Sequence, residues 1–175
     1  MTGVRYRAVD SQTPTWLTLY DIDKPDTTNS EAYNALKDLA SDKEKTIWPK
    51  IAGLSRRSYV HMRTFTHPNV TAEALPSRYV LIVSLEMTGP EGEDELNRWY
   101  NEEHMDLLSK KGALTDKPVF KYLAIHELDN SDFQRTPEFK HAISTEWRNR
   151  VMQQCLGRES RVFELHKIFE TKPVQ

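Results

Sequence analysis

The chain has 175 residues, 38% of them hydrophobic and 29% charged, with a formal net charge of −2. That composition excludes a disordered chain, and the near-neutral balance without a long single-sign run argues against nucleic acid or an anionic membrane as the main partner. The single cysteine, Cys155, excludes an intrachain disulfide and a cysteine-based metal cluster, and the length suits one domain or two very small ones.

The opening MTGVRYRAVD lacks the apolar core of a signal peptide, and no stretch approaches the roughly 20 apolar residues of a membrane span. A cytoplasmic protein without membrane association is expected. VRYRAV (4–9) alternates as a strand, and TWLTLYDI (15–22) is a second, set off by Pro14. Thr28 and Glu31 have capping-box spacing, so a helix is expected near Ser30, carrying Tyr33 and Leu36. A second helical piece carries Ile47, Trp48 and Ile51, is broken at Pro49 and stops at Gly53. RSYVHMRTF (57–65) alternates as a strand, and the two prolines of HPNVTAEALPS (67–77) mark a linker.

RYVLIVSLEM (78–87) is the most apolar strand and reads as central. GPEGEDE follows, and its carboxylates favour the N-terminus of the next helix. VFKYLAIHEL (119–128) is another strand. Thr136-Pro137 marks a helix start, an N-cap followed by proline at the first turn. STEWRNRVMQQCLG is expected to run helically through Trp147, Val151 and Cys155 to Gly157, before a last strand SRVFELHKIFE (160–170).

The chain repeats itself. Leu17 falls on Leu123 and Tyr33 on Phe139, both 106 residues apart; Trp48 then corresponds to Trp147, Gly53 to Gly157 and Phe65 to Phe169. Each copy reads strand, helix, Trp-bearing helix, strand. This period is too long for a solenoid unit and points to two halves of a pseudo-symmetric pair.

ELNRWYNEEHMDLL (95–108) carries the densest chemistry. At about 100° per residue, Leu96, Trp99, Tyr100 and Leu107 form one apolar stripe. Glu103 falls inside it and His104 borders it. A carboxylate in an apolar stripe is costly unless paired or protonated. Two readings stay open: a tuned acid/base pair at a pocket mouth, or a Glu103 that merely anchors structure beside a capping His104.

The strands add candidates. In YLAIHEL, Leu123 and Ile125 share one face and Tyr122, Ala124 and His126 the other; in TWLTLY, Leu17 and Leu19 oppose Trp16, Thr18 and Tyr20. The aliphatic face is expected on the helices and the aromatic-polar face in an interior, with Tyr20, Tyr122, His126 and His61 as pocket-lining residues. No HExxH, P-loop, GxGxxG or nucleophile elbow is present, so neither metal nor cofactor is expected.

The string W-Y-x-E-E-H, followed by strand, helix and strand, resembles the EthD-like branch of the ferredoxin-like dimeric α/β-barrel superfamily, whose fungal members often carry two units in tandem. The resemblance implies an α+β fold of two pseudo-repeated antiparallel-sheet halves. Residues 1–66 would be an incomplete half (strands 2 and 3, helix 2, strand 4), 67–77 the linker, and 78–175 a second half lacking a clear strand 2. The N-terminal strand would complete the second half, within the chain or by exchange in a dimer, unless the gene product is shortened. Exposed sheet faces must pair, so a homodimer is expected.

The resemblance further implies a cofactor-free lyase, cyclase, decarboxylase or isomerase acting on an aromatic or polyketide-like small molecule. His104 would transfer the proton, Glu103 would tune it, and Tyr100, Tyr20 or His126 would donate to an enolate oxygen. The alternative is a non-catalytic small-molecule binder or oligomer-forming subunit.

Overall fold

A computed structural model describes residues 3–24, 26–66, 70–71, 75–103 and 120–169. It is an α+β fold around a five-stranded antiparallel sheet. In chain order the elements are β1 (Gly3–Ala8), β2 (Trp16–Tyr20), α1 (Glu31–Ala35), α2 (Asp42–Ile47), β3 (Tyr79–Met87), α3 (Gly89–Glu102), β4 (Tyr122–Leu128), α4 (Pro137–Ala142), α5 (Glu146–Gln153) and β5 (Cys155–Phe169). The strand order is β2-β1-β5-β3-β4, so the N-terminal hairpin pairs with the last strand and extends the sheet built by the C-terminal half.

β3 is central in sequence character and in burial. Its odd positions, Leu81, Val83, Leu85 and Met87, pack with Leu96 and Trp99 of α3, with Val151 of α5 and with Phe133, which precedes α4. Its even positions, Val80 and Ile82, turn to the opposite face and join Tyr6, Leu17, Ile125 and Phe163. Both faces are buried, which is why the strand reads as a continuous apolar run rather than an alternation. No described helix residue belongs to the second cluster.

Arg161 is buried on that second face, 3% exposed, and each of its three guanidinium nitrogens donates. It donates to both carboxylate oxygens of Asp10 at 2.9 and 3.0 Å and to the carbonyls of Gln12 and Pro14 at 3.0 Å each. The β1–β2 loop is thereby clamped to β5.

Local signals placed the helix starts well. Ser30 caps α1 by accepting from the Tyr33 amide at 3.2 Å, and Thr136 caps α4 by accepting from the Phe139 amide at 3.2 Å. A three-residue 3-10 turn precedes each cap, at Thr27–Asn29 and Phe133–Arg135. The cap is Ser30 rather than Thr28, and Ser41 with Glu44 forms the capping box one helix later. Packing differs between the two pairs of short helices. α1 and α2 bury no residue and Trp48 is 53% exposed, whereas Phe139 and Trp147 pack on the core beside α3 and α5.

Three expectations are corrected. Residues 57–65, the proposed strand 4 of the first half, form no strand. Alternation needs a ladder partner to become a strand, and this segment is instead tied down by side chains: Tyr59 donates to the Phe120 carbonyl at 3.2 Å and Arg63 to Asn101 Oδ1 at 2.9 Å. Cys155 and Gly157 belong to β5, not to the preceding helix, because they pair with Met87 and Glu86 across a register shift. The faces of β4 and β2 are also inverted. Leu123, Ile125, Leu17 and Leu19 lie on the helix-free face, while Tyr122 and Ala124 pack towards the helices and His126 stands opposite Leu81 on that side. The second half's strand 2 would fall within 104–119, outside the described residues. Among the described residues no helix is long and apolar enough to cross a membrane.

Candidate active site

A cavity of about 40 Å³ lies between the sheet and its helices. Its floor is Leu81, Val83 and Leu85 of β3; Trp99 and Tyr100 of α3, His126 of β4, Arg158 of β5 and the α4–α5 segment supply the walls. Phe139, Ile143, Arg148 and Met152 are the contributions of that last segment. Strand period explains the polar members. His126 stands opposite Leu81, and Arg158 opposite Leu85, so both point to the helix side. Ile143 and Arg158 reach solvent and mark the open side.

His126 is 1% exposed. Burial first, and then the positive charge of Arg158, push its imidazole down to about 4, so it is neutral at physiological pH. Burial raises the Tyr100 phenol well above its ordinary value, with Arg158 opposing in part. Arg148 is disfavoured as a cation by burial and then by Arg158, with Cys155 opposing. The cavity therefore combines a neutral imidazole, a neutral phenol and two guanidinium groups with apolar walls.

Glu103 follows α3 and its carboxylate is engaged. Oε1 accepts from the Trp99 indole N–H at 2.9 Å and from the Thr145 hydroxyl at 2.5 Å. Thr145 in turn caps α5 by accepting from the Arg148 amide at 3.1 Å. The acid in the apolar stripe thus ties the end of α3 to the start of α5, and it holds Trp99 against the cavity. This is the anchoring reading of Glu103.

Of the expected site residues, Tyr100 and His126 meet in the cavity. Tyr122 faces the helix side but donates to Glu93 Oε2 at 2.9 Å instead of lining the cavity. Tyr20 is exposed on the edge strand β2, and His61 shares a 2.9 Å hydrogen bond with Thr64 on an exposed segment. His104 lies outside the described residues. Sequence reasoning missed Arg148 and Arg158. Arg158 had a usable signal, since period 2 puts it on the same strand face as Ser160 and the core residue Val162; Arg148 had none, because only the packing of α5 brings it to the cavity.

Among the described residues no three His, Cys, Asp or Glu side chains gather where they could hold a metal ion. No protein-family model matches the chain, and no curated protein or solved structure matches it.

Proposed function

We propose that the protein is a cofactor-free small-molecule enzyme of the lyase, cyclase, decarboxylase or isomerase type, with its site in the cavity beneath α3. The observation that carries this reading is the meeting of neutral His126 and Tyr100 in one cavity walled by apolar side chains. Two neutral donors beside apolar walls suit a developing enolate oxygen, where hydrogen bonds strengthen as charge forms. His104, the residue after Glu103, is the proposed proton carrier. In this scheme a C–H bond next to a carbonyl breaks, the proton passes to His104, and the electron pair moves to the oxygen held by Tyr100 and His126. Return of a proton to carbon completes the cycle.

The family resemblance is the source of the reaction class, while the cavity lies on the helix side of the sheet and not on the helix-free face. Five antiparallel strands with helices on one face suit a ferredoxin-like half extended by the hairpin of a second half, and the buried helix-free face suits the inside of a barrel. Exposed apolar side chains on and after the first helices, Leu36, Leu39, Ile47, Trp48 and Leu54, support a homodimer.

The test is hydrogen–deuterium exchange at carbon, read by NMR, for a panel of small enolisable ketones and acids in D2O. Exchange is expected with the wild-type protein and is expected to fall at least a hundredfold in His104→Ala and Tyr100→Phe, with the circular dichroism unchanged. No exchange above buffer with any member of the panel, or full exchange in both variants, overturns the enzyme. A second reading, binding without turnover, is favoured by one observation: the Glu103 oxygen nearest Trp99 is already spent on two structural donors. Saturable ligand binding with no exchange is its signature.

A further inference from the structure

We infer that the cavity is a carboxylate pocket in which Arg148 and Arg158 hold the headgroup of a small organic acid while its body leaves past Ile143. This rests on reading the cavity as the small-molecule site, and it names the class of ligand.

The first ground is where the charges sit. Two guanidinium groups from different elements, α5 and β5, line one small cavity whose remaining wall is mostly aliphatic and aromatic. Among the described residues neither forms an ion pair. Arg148 Nη1 donates to Asn149 Oδ1 at 3.4 Å and Arg158 Nε to Ser160 Oγ at 3.0 Å, which leaves most of the five donors on each fork available. Glu103, the carboxylate that bonds this wall, is committed to Trp99 and Thr145 through Oε1.

The second ground is the cost of that arrangement. Like charges lining one small space repel, and Arg158 disfavours the charged forms of both Arg148 and His126. A bound anion attracts both guanidinium groups and so offsets this repulsion. Stability alone would place leucine or methionine on such a wall.

The third ground is size and shape. A space of about 40 Å³ accepts a headgroup of a few heavy atoms and not a ring system. A planar carboxylate matches the fork of an arginine in a two-point contact, which a tetrahedral phosphate does less well in so small a space. Tyr100 and His126, both neutral, can donate to the same oxygens or to a carbonyl beside them.

The test is titration calorimetry at constant ionic strength with butyrate and benzoate against the neutral butyramide and benzamide, and with inorganic phosphate. The carboxylates are expected to bind at least tenfold more tightly than their amides. Arg158→Gln, at an exposed position, is expected to lose that preference about tenfold, and Arg158→Lys to recover part of it. Arg148→Gln is expected to do the same, with thermal unfolding as the control for its partly buried site. In parallel, the His126 imidazole, followed by NMR, is expected to titrate at higher pH when butyrate is bound.

Equal binding of acid and amide, tighter binding of phosphate, no binding of either acid, or an Arg158→Gln variant that retains full preference overturns the inference. Carboxylate binding without carbon exchange leaves the pocket standing and removes the enzyme. Carbon exchange without carboxylate preference does the reverse.

Discussion

Glu103 is costly to bury in an apolar stripe only when its oxygens lack donors, and here the indole of Trp99 and the hydroxyl of Thr145 supply them. Glu103→Leu is expected to destabilise the protein by about 2 kcal/mol, because it leaves an N–H and an O–H unpaired. Glu103→Gln keeps an acceptor oxygen in place and is expected to cost less than half as much. Urea unfolding of the two variants decides between them, and equal losses would mean that the charge, not the hydrogen bonding, holds α3 to α5. Asp10 is a second residue whose partners decide its behaviour. Burial pushes its carboxyl up, but hydrogen bonds from Arg161 and the Gln12 amide, the Arg161 charge and the Val162 amide together hold it below the usual range. A depressed folded pKa contributes stability that is complete above the unfolded value, near 4, and is lost as pH falls through the folded one. Asp10→Asn is therefore expected to cost about 3 kcal/mol at pH 7, where it strands the Arg161 charge. It should also flatten the acid limb of the stability curve below pH 4. His126 acts over a different window. Its neutral form is favoured in the fold, so its contribution is complete above pH 6.5 and falls towards pH 4, by up to about 1.4 kcal/mol per pH unit. Thermal unfolding of the wild-type protein minus His126→Gln between pH 7 and 4 should show that slope, and a flat difference would count against the buried neutral imidazole.

At the scale of elements, the same cap chemistry has two different consequences. Ser30 and Thr136 each accept an amide hydrogen bond at the start of a short helix. α4 packs on the core through Phe139 and Ala142, whereas α1 buries nothing. Thr136→Ala is expected to lower global stability by about 1 kcal/mol, while Ser30→Ala should leave the main unfolding transition unmoved and only loosen α1 locally. Amide hydrogen exchange separates global from local loss, and a Ser30→Ala variant with lower global stability would show that α1 is coupled to the sheet. The strands teach a related lesson. Period 2 divided Leu123 and Ile125 correctly from Tyr122, Ala124 and His126, but alternation is symmetric and does not say which face meets the helices. The aliphatic pair went to the helix-free face, so His126 came to lie under α3 in the cavity that Tyr100 also lines.

For the molecule as a whole, the sheet is built from both ends of the sequence, since β1 pairs with β5. The helices between β2 and β3 expose Leu39 at 78% and Trp48 at 53%. Light scattering is expected to return the mass of a homodimer, and Trp48→Glu with Leu39→Lys to shift it to the monomer. A monomeric wild-type protein would leave those side chains without the proposed partner. The sequence by itself determined the starts of α1 and α4, the two N-terminal strands, an apolar interior strand at β3 and the polar residues of the W-Y-x-E-E-H string, because caps and periodicity act between residues close in the chain. Only the tertiary structure decided that Glu103 ties helices together, that 57–65 finds no strand partner, and that Arg148 and Arg158 share a cavity with Tyr100 and His126. Those outcomes depend on which faces meet and which strands pair across more than a hundred residues, and local sequence carries no energy that selects among them.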